Sequence, residues 1–162
     1  GLGGGYTPER RLEIMKDSRT GPMGVAAVIS IMLLKYAALL CLGPELGILA
    51  AAIMPVGGRY ALCFLMDWLP YVREEGLGKI FEGYKLSWIS VWGFSLFMLA
   101  GWIFIGPASI LAVFAATIGI FYFGYLCEDK IGGITGDTLG AGCEIAETLT
   151  VLGVAVFYHL FI

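Results

Sequence analysis

Charge is what this sequence lacks most: only 14% of its 162 residues are Asp, Glu, Lys or Arg, against roughly 25% in an average soluble domain. Histidine is almost missing, with His159 alone in the last apolar run, where an interfacial side chain is a better reading than a catalyst. Four cysteines, Cys41, Cys63, Cys127 and Cys143, stand far apart, without a CxxC pair or a histidine beside them. That argues against a metal cluster or disulfide framework and reads them as small buried hydrophobes. There is no basic excess. The net charge is −3 and the pI about 5.1, which offers no face for nucleic acid. No signal-peptide pattern opens the chain, and no GxxxxGK[ST] loop occurs in it. No internal repeat or low-complexity linker divides it, so residues 1–162 read as one membrane-embedded domain, and the inverted repeats expected of many transporters are missing.

In place of charge there is apolar length. The composition is 59% hydrophobic and the mean hydropathy +0.85. Runs of about 17–25 apolar residues are long enough to cross a hydrocarbon core of about 30 Å as helices. Five occur, at about 24–42, 46–66, 88–105, 108–127 and 145–162, the second and fifth carrying polar residues. The expected fold is therefore all-α, a polytopic bundle of about five helices in a lipid bilayer. If the chain changes side at each run, residues 1–23, 67–87 and 128–144 share one side. The other receives only residues 43–45, residues 106–107 and the C-terminus. Eight of the ten Lys and Arg (Arg10, Arg11, Lys16, Arg19, Arg73, Lys79, Lys85 and Lys130) fall on the first side, while Lys35 and Arg59 lie inside runs. By the positive-inside tendency that side is cytoplasmic, in an inner or plasma membrane.

Four stretches carry the polar chemistry. In "TPERRLEIMKDSR", Thr7 followed by Pro8 predicts a helix start, and Arg10, Glu13 and Asp17 would share a face if the helix continues. An ion between the carboxylates and an ordinary juxtamembrane set of ion pairs are both open readings. In "GGITGDTLGAGCEIAETL", a helix starting near Thr135 would line up Asp137, Glu144, Glu147 and Thr148 with only Gly140 and Ala141 between the first two acids. Such a row leaves room for a hydrated Mg²⁺ and a phosphate; the alternative is glycine-mediated helix packing with Asp137 as a cap. Glycines between Gly132 and Gly142 also allow contacts between copies of the chain. In "REEGLGKIFEGYK", Arg73, Lys79 and Lys85 are phosphate candidates or members of a solvated loop. In "MPVGGRY", proline and two glycines predict a break or bend. Arg59 then lies about 12 Å below the polar end by helix rise, reaching an acidic partner, a phosphate or the interface. Lys35, nearer midspan, predicts a partner on another helix.

Together "LEIMKDSRTGPMGV" at 12–25, "PVGGR" at 55–59, "REEGLGKIF" at 73–81 and "GGITGDTLGAGCEIAE" at 132–147 resemble, in order, the signature stretches of the cobalamin synthase family, the adenosylcobinamide-GDP ribazoletransferases. The resemblance runs the length of the chain. It implies that the chain corresponds to the C-terminal two-thirds of a member, the family's aspartate-rich DGxxDxxDG stretch falling before Gly1. It also implies the reaction: the 3′-hydroxyl of α-ribazole, or of its 5′-phosphate, attacks the cobinamide-linked phosphorus of adenosylcobinamide-GDP, and GMP leaves. Displacement at an anionic phosphorus calls for cationic clamps and alignment, with Mg²⁺ as the expected cofactor. In that role Asp17 and Asp137 would hold metal or orient the nucleophile, and Glu144 and Glu147 would support or join them. Arg19, Arg59 and Arg73 would hold phosphate oxygens, with Lys16, Ser18, Lys79, Thr135 and Thr138 completing the substrate contacts.

Two other classes remain in view. A CDP-alcohol phosphotransferase would need DGxxAR followed by paired aspartates, a spacing that residues 1–162 lack. An ion transporter or channel would place polar groups on both sides of the membrane, whereas one side here is nearly bare.

Overall fold

The computed structural model describes residues 2–17, 19, 21–73 and 88–161, all in helices and connections apart from one isolated bridge. The helices are α1 (Pro8–Lys16), α2 (Pro22–Trp68), α3 (Ile89–Ile105), α4 (Ala108–Ile131) and α5 (Gly136–Phe161). Three of them, α2, α4 and α5, are long and apolar enough to cross a membrane, and α3 is a shorter apolar helix. The fold is an all-α membrane bundle.

α2 is a hairpin of two helical arms. Gly43 has φ 71° and ψ 177°, which breaks the helical path. A Cβ on Gly47 would lie 3.2 Å from the Leu39 carbonyl oxygen, whereas in an unbroken helix residues eight apart are separated by about 12 Å. The arms 22–42 and 44–68 therefore run antiparallel, and with α3, α4 and α5 they make five apolar rods, as the hydropathy runs predict. Pro55, Gly57 and Gly58, expected to bend or break the second arm, lie within continuous helix. They serve packing instead. A Cβ on Gly57 would sit 2.7 Å from Thr150 Oγ1 and 2.9 Å from Phe97 Cζ, so these glycines let α5 and α3 approach the arm.

The core lies between the second arm, α4 and α5, where Ala50, Ile53, Ala61, Leu65, Ala112, Ala116, Ile120, Ala146 and Val151 are buried. Small side chains dominate it, as expected where helices associate by close packing rather than by escape from water. The first arm is different. Its buried residues are Lys35, Ala38 and Leu42 alone, on one face, and the rest presents apolar side chains outward, as a lipid-facing helix does.

The described parts of the polar segments meet at one end. Arg11 donates to the Lys130 carbonyl at 2.9 Å, supplying a donor to the C-terminal turn of α4, whose last carbonyls have no partner within the helix. Val72 N–H donates to the Ile134 carbonyl at 2.9 Å, and Ile134 N–H to that of Pro70 at 2.8 Å. Gly133 makes this pairing feasible: a Cβ there would collide with the Pro70 carbonyl oxygen.

Candidate functional site

α1 starts as its sequence predicts, with the Thr7 hydroxyl accepting from Arg10 N–H and Pro8 in the first position. It ends at Lys16, so Asp17 leaves the helical face that Arg10 and Glu13 keep, and those two pair with each other. Asp17 instead turns to Arg19. Its carboxylate accepts from the Arg19 backbone N–H at 3.0 Å and from Nε and Nη2 at 2.9–3.2 Å. The guanidinium holds the Asp17 carboxyl below its ordinary value, and the carboxylate raises that of Arg19.

Asp137 is placed by a cap. Thr135 N–H donates to Thr138 Oγ1 at 2.8 Å and Thr138 N–H to Thr135 Oγ1 at 3.3 Å. This reciprocal arrangement starts α5 and leaves Asp137 in its first turn, at the positive end of the helix dipole. Arg73 Nη2 donates to Asp137 Oδ2 at 2.6 Å and to the Met15 carbonyl at 3.2 Å. The Arg73 Nε is buried without a partner among the described residues.

Both arginine–carboxylate pairs line one cleft of about 910 Å³, together with Lys16 and Thr138. Leu2, Ile14, Met15, Met23 and Phe123 give it apolar walls, and Gly21, Gly24 and Ala141 narrow none of it with bulk. Its volume lies in the range of about 300–1,000 Å³ usual for small-molecule sites. Beside it, Cβ atoms on Gly136 and Gly140 would meet nothing within 4 Å. Chemically, the cleft offers two forked cations suited to phosphate oxygens and two carboxylates suited to a hydroxyl or a hard metal ion.

Other expected residues go elsewhere. Glu144 and Glu147 lie farther along α5 than Asp137, and Lys35 Nζ donates to both at 2.7 Å. Among the described residues no group of three or more His, Cys, Asp or Glu is arranged to hold a metal. Arg59, expected to reach an acidic partner, a phosphate or the interface, is exposed and forms no ion pair among the described residues; the cation that meets Glu144 and Glu147 is Lys35. Thr135 is fully buried and engaged in the α5 cap. Ser18 and Lys79, with Lys85, lie outside the described residues. Lys35 was recognisable from sequence as a cation in need of a partner, but nothing in the spacing named Glu144 and Glu147, more than 100 positions away. The Arg11 contact with the α4 terminus left no sequence signal.

A family model described as cobalamin-5-phosphate synthase matches residues 1–155. The adenosylcobinamide-GDP ribazoletransferase of Pseudomonas fluorescens strain Pf-5 is 39% identical over 158 residues, 96% of this chain and 64% of the relative. That of Acinetobacter baumannii strain ACICU is 35% identical over 164 residues, 99% of this chain and 65% of the relative. The Syntrophobacter fumaroxidans enzyme of the same name is 40% identical over 164 residues, 98% of this chain and 64% of the relative. The chain thus spans a little under two-thirds of the length of these curated relatives. No solved structure matches it significantly.

Proposed function

The chain belongs to the cobalamin-5-phosphate synthase family, and from that premise we propose that its cleft is a phosphoryl-transfer site joining adenosylcobinamide-GDP to α-ribazole or its 5′-phosphate. The products are adenosylcobalamin, or its 5′-phosphate, and GMP. One observation carries the reading: Arg19–Asp17 and Arg73–Asp137 face one cleft at the polar end of the bundle.

In this reaction the ribazole 3′-oxygen forms a bond to the cobinamide-linked phosphorus. The bond from that phosphorus to the bridging oxygen breaks, and GMP leaves with that oxygen. Little covalent work falls to the protein, and alignment with charge stabilisation dominates. Arg19 and Arg73 exchange part of their carboxylate bonding for phosphate oxygens. Lys16 adds positive charge at the rim. Asp137 orients the attacking hydroxyl and takes its proton. Thr135 and Thr138 serve by fixing the turn that carries Asp137.

The donor set fits Mg²⁺, which is usually held by one or two carboxylates plus substrate phosphates and water. Asp17 and Asp137 would hold it. When bound it would neutralise the diphosphate and acidify the attacking hydroxyl. Eight of ten Lys and Arg fall in the three polar segments, which supports a cytoplasmic cleft, open to water-soluble nucleotides.

The test is GMP release from adenosylcobinamide-GDP in liposomes with α-ribazole 5′-phosphate, for the complete gene product and its Asp137→Asn variant. Release that needs Mg²⁺ and falls at least about tenfold in the variant is the expected result. No release from the folded parent overturns the reaction, and unchanged release by the variant overturns the role of Asp137.

A further inference from the structure

Between Met15 and Lys35 the chain behaves as a strap. None of the described residues in that interval is buried, yet Asp17, Arg19, Gly21, Met23 and Gly24 form one wall of the cleft. The start of α5 also lines it, with Asp137, Thr138 and Ala141.

Both ends are tied to acids of α5. At the upper end, Arg73 bridges Asp137 to the Met15 carbonyl. At the lower end, Lys35, the first buried residue of α2, bonds both Glu144 and Glu147. By helix rise the two lower acids stand about 10 and 15 Å along α5 from Asp137. The Lys35 side chain is 11% exposed, those of Glu144 and Glu147 50% and 23%. Glu147 is further seated by the second arm of α2, since a Cβ on Gly58 would lie 2.8 Å from its Oε1. Three rods thus meet at one cation. A nearly buried lysine among apolar helices is costly to leave unpaired, so Lys35 keeps these two partners.

We infer that Lys35 is a positioning residue: its twin bonds to Glu144 and Glu147 set the separation between the strap carrying Asp17 and Arg19 and the α5 wall carrying Asp137. The acids of α5 are then a rail with two anchor points, one at the cleft and one beneath it. The catalytic significance of that separation rests on the proposed reaction; the mechanical claim does not.

The experiment reads spacing without turnover. The complete gene product, with native cysteines replaced, carries spin labels at Val28 on the strap and Tyr125 on α4, both exposed. Distances are measured by pulsed electron resonance in liposomes. The parent is expected to give one narrow distribution and Lys35→Met a broad one, with Lys35→Arg restoring the narrow form. Because Lys35→Met leaves two acids unpaired and is at risk of misfolding, the triple variant Lys35→Met, Glu144→Gln, Glu147→Gln is made as well. It removes the charges together, which buried clusters tolerate, and its distribution is also expected to broaden. Glu144→Gln, which keeps the Lys35–Glu147 pair, is expected to fall between. A triple variant as narrow as the parent overturns the inference. GMP release on the same samples separates the two claims: a parent that is well spaced but inactive counts against the proposed reaction alone.

Discussion

Arg73 and Asp137, 64 positions apart, meet through a 2.6 Å bond, and the same Arg73 nitrogen reaches the Met15 carbonyl. One guanidinium thereby joins the three polar segments that the hydropathy pattern assigns to one side. A charge-assisted bond of this kind is worth about 1.5–3 kcal/mol when well formed. Its position explains how residues supplied by α1, by the connection after α2 and by α5 come to face the same space.

Replacing Arg73 by Lys keeps the charge and removes the fork. A single Nζ cannot reproduce the planar set of donors that serves Asp137, Met15 and a phosphate together. GMP release is expected to fall about 10- to 100-fold, the equivalent of one such bond, and the thermal midpoint to fall as well, because the side chain is only 21% exposed and its bonding to Asp137 is weakened. Steady-state assays on Arg73→Lys and Arg73→Gln check this. Parent-like rates in both would remove Arg73 from the site.

At Asp17 the pH dependence has a definite sign. The Arg19 side chain, then its backbone N–H, lowers the Asp17 value from 3.8. A depressed carboxyl contributes its stabilisation in full above the unfolded value and loses it as pH falls through the folded one. The pair is therefore intact through the neutral range and dissolves only in acid. Carbon NMR of the Asp17 carboxyl in the complete protein is expected to show a midpoint below 3.8 that rises toward that value in Arg19→Gln. Equal midpoints in the two proteins would show that Arg19 is not the cause.

The sequence predicted the rods better than it predicted their contacts. Apolar length marked all five, and Thr7–Pro8 and the region of Thr135 marked two helix starts, because these signals are local. Pro55, Gly57 and Gly58 marked a break or bend, and the helix runs through them without a break, since whether glycine breaks a helix or admits a neighbour depends on what lies opposite, here Thr150, Phe97 and Glu147. Asp17 was read on the face of Arg10 and Glu13, but α1 stops one residue earlier. Periodicity put Asp137, Glu144 and Glu147 on one stripe. It could not assign Arg73 to the first and Lys35 to the others, because partner choice is settled only when distant helices pack.

The glycines of α5 are not equivalent. A Cβ on Gly153 would stand 2.7 Å from Ala112 Cα and 3.0 Å from its nitrogen, and backbone cannot rotate aside. Gly153→Ala must push α4 from α5 and is expected to cost about 1–3 kcal/mol, the usual penalty of overpacking. Gly140, whose Cβ would meet nothing, should gain up to about 1 kcal/mol on conversion to Ala through helix propensity. Thermal unfolding of both variants in detergent checks the contrast. A destabilised Gly140→Ala would mean that another part of the protein occupies that space.

The orientation of the bundle has two well-placed reporters. Cys41 is exposed and stands two residues before the Gly43 turn, at the end opposite the cleft. Glu13 is exposed on α1, at the cleft end. If the cationic segments face the cytoplasm, as the distribution of Lys and Arg implies, a membrane-impermeant maleimide added to intact cells should label Cys41. A cysteine at Glu13 in a Cys41→Ser background should label only in inverted vesicles or permeabilised cells. Cys63 and Cys143 are half-buried and Cys127 is buried, so all three are replaced by alanine to keep the readings clean. Reversed labelling would turn the cleft away from the nucleotide pool and would count against a reaction that consumes a cytoplasmic GDP derivative.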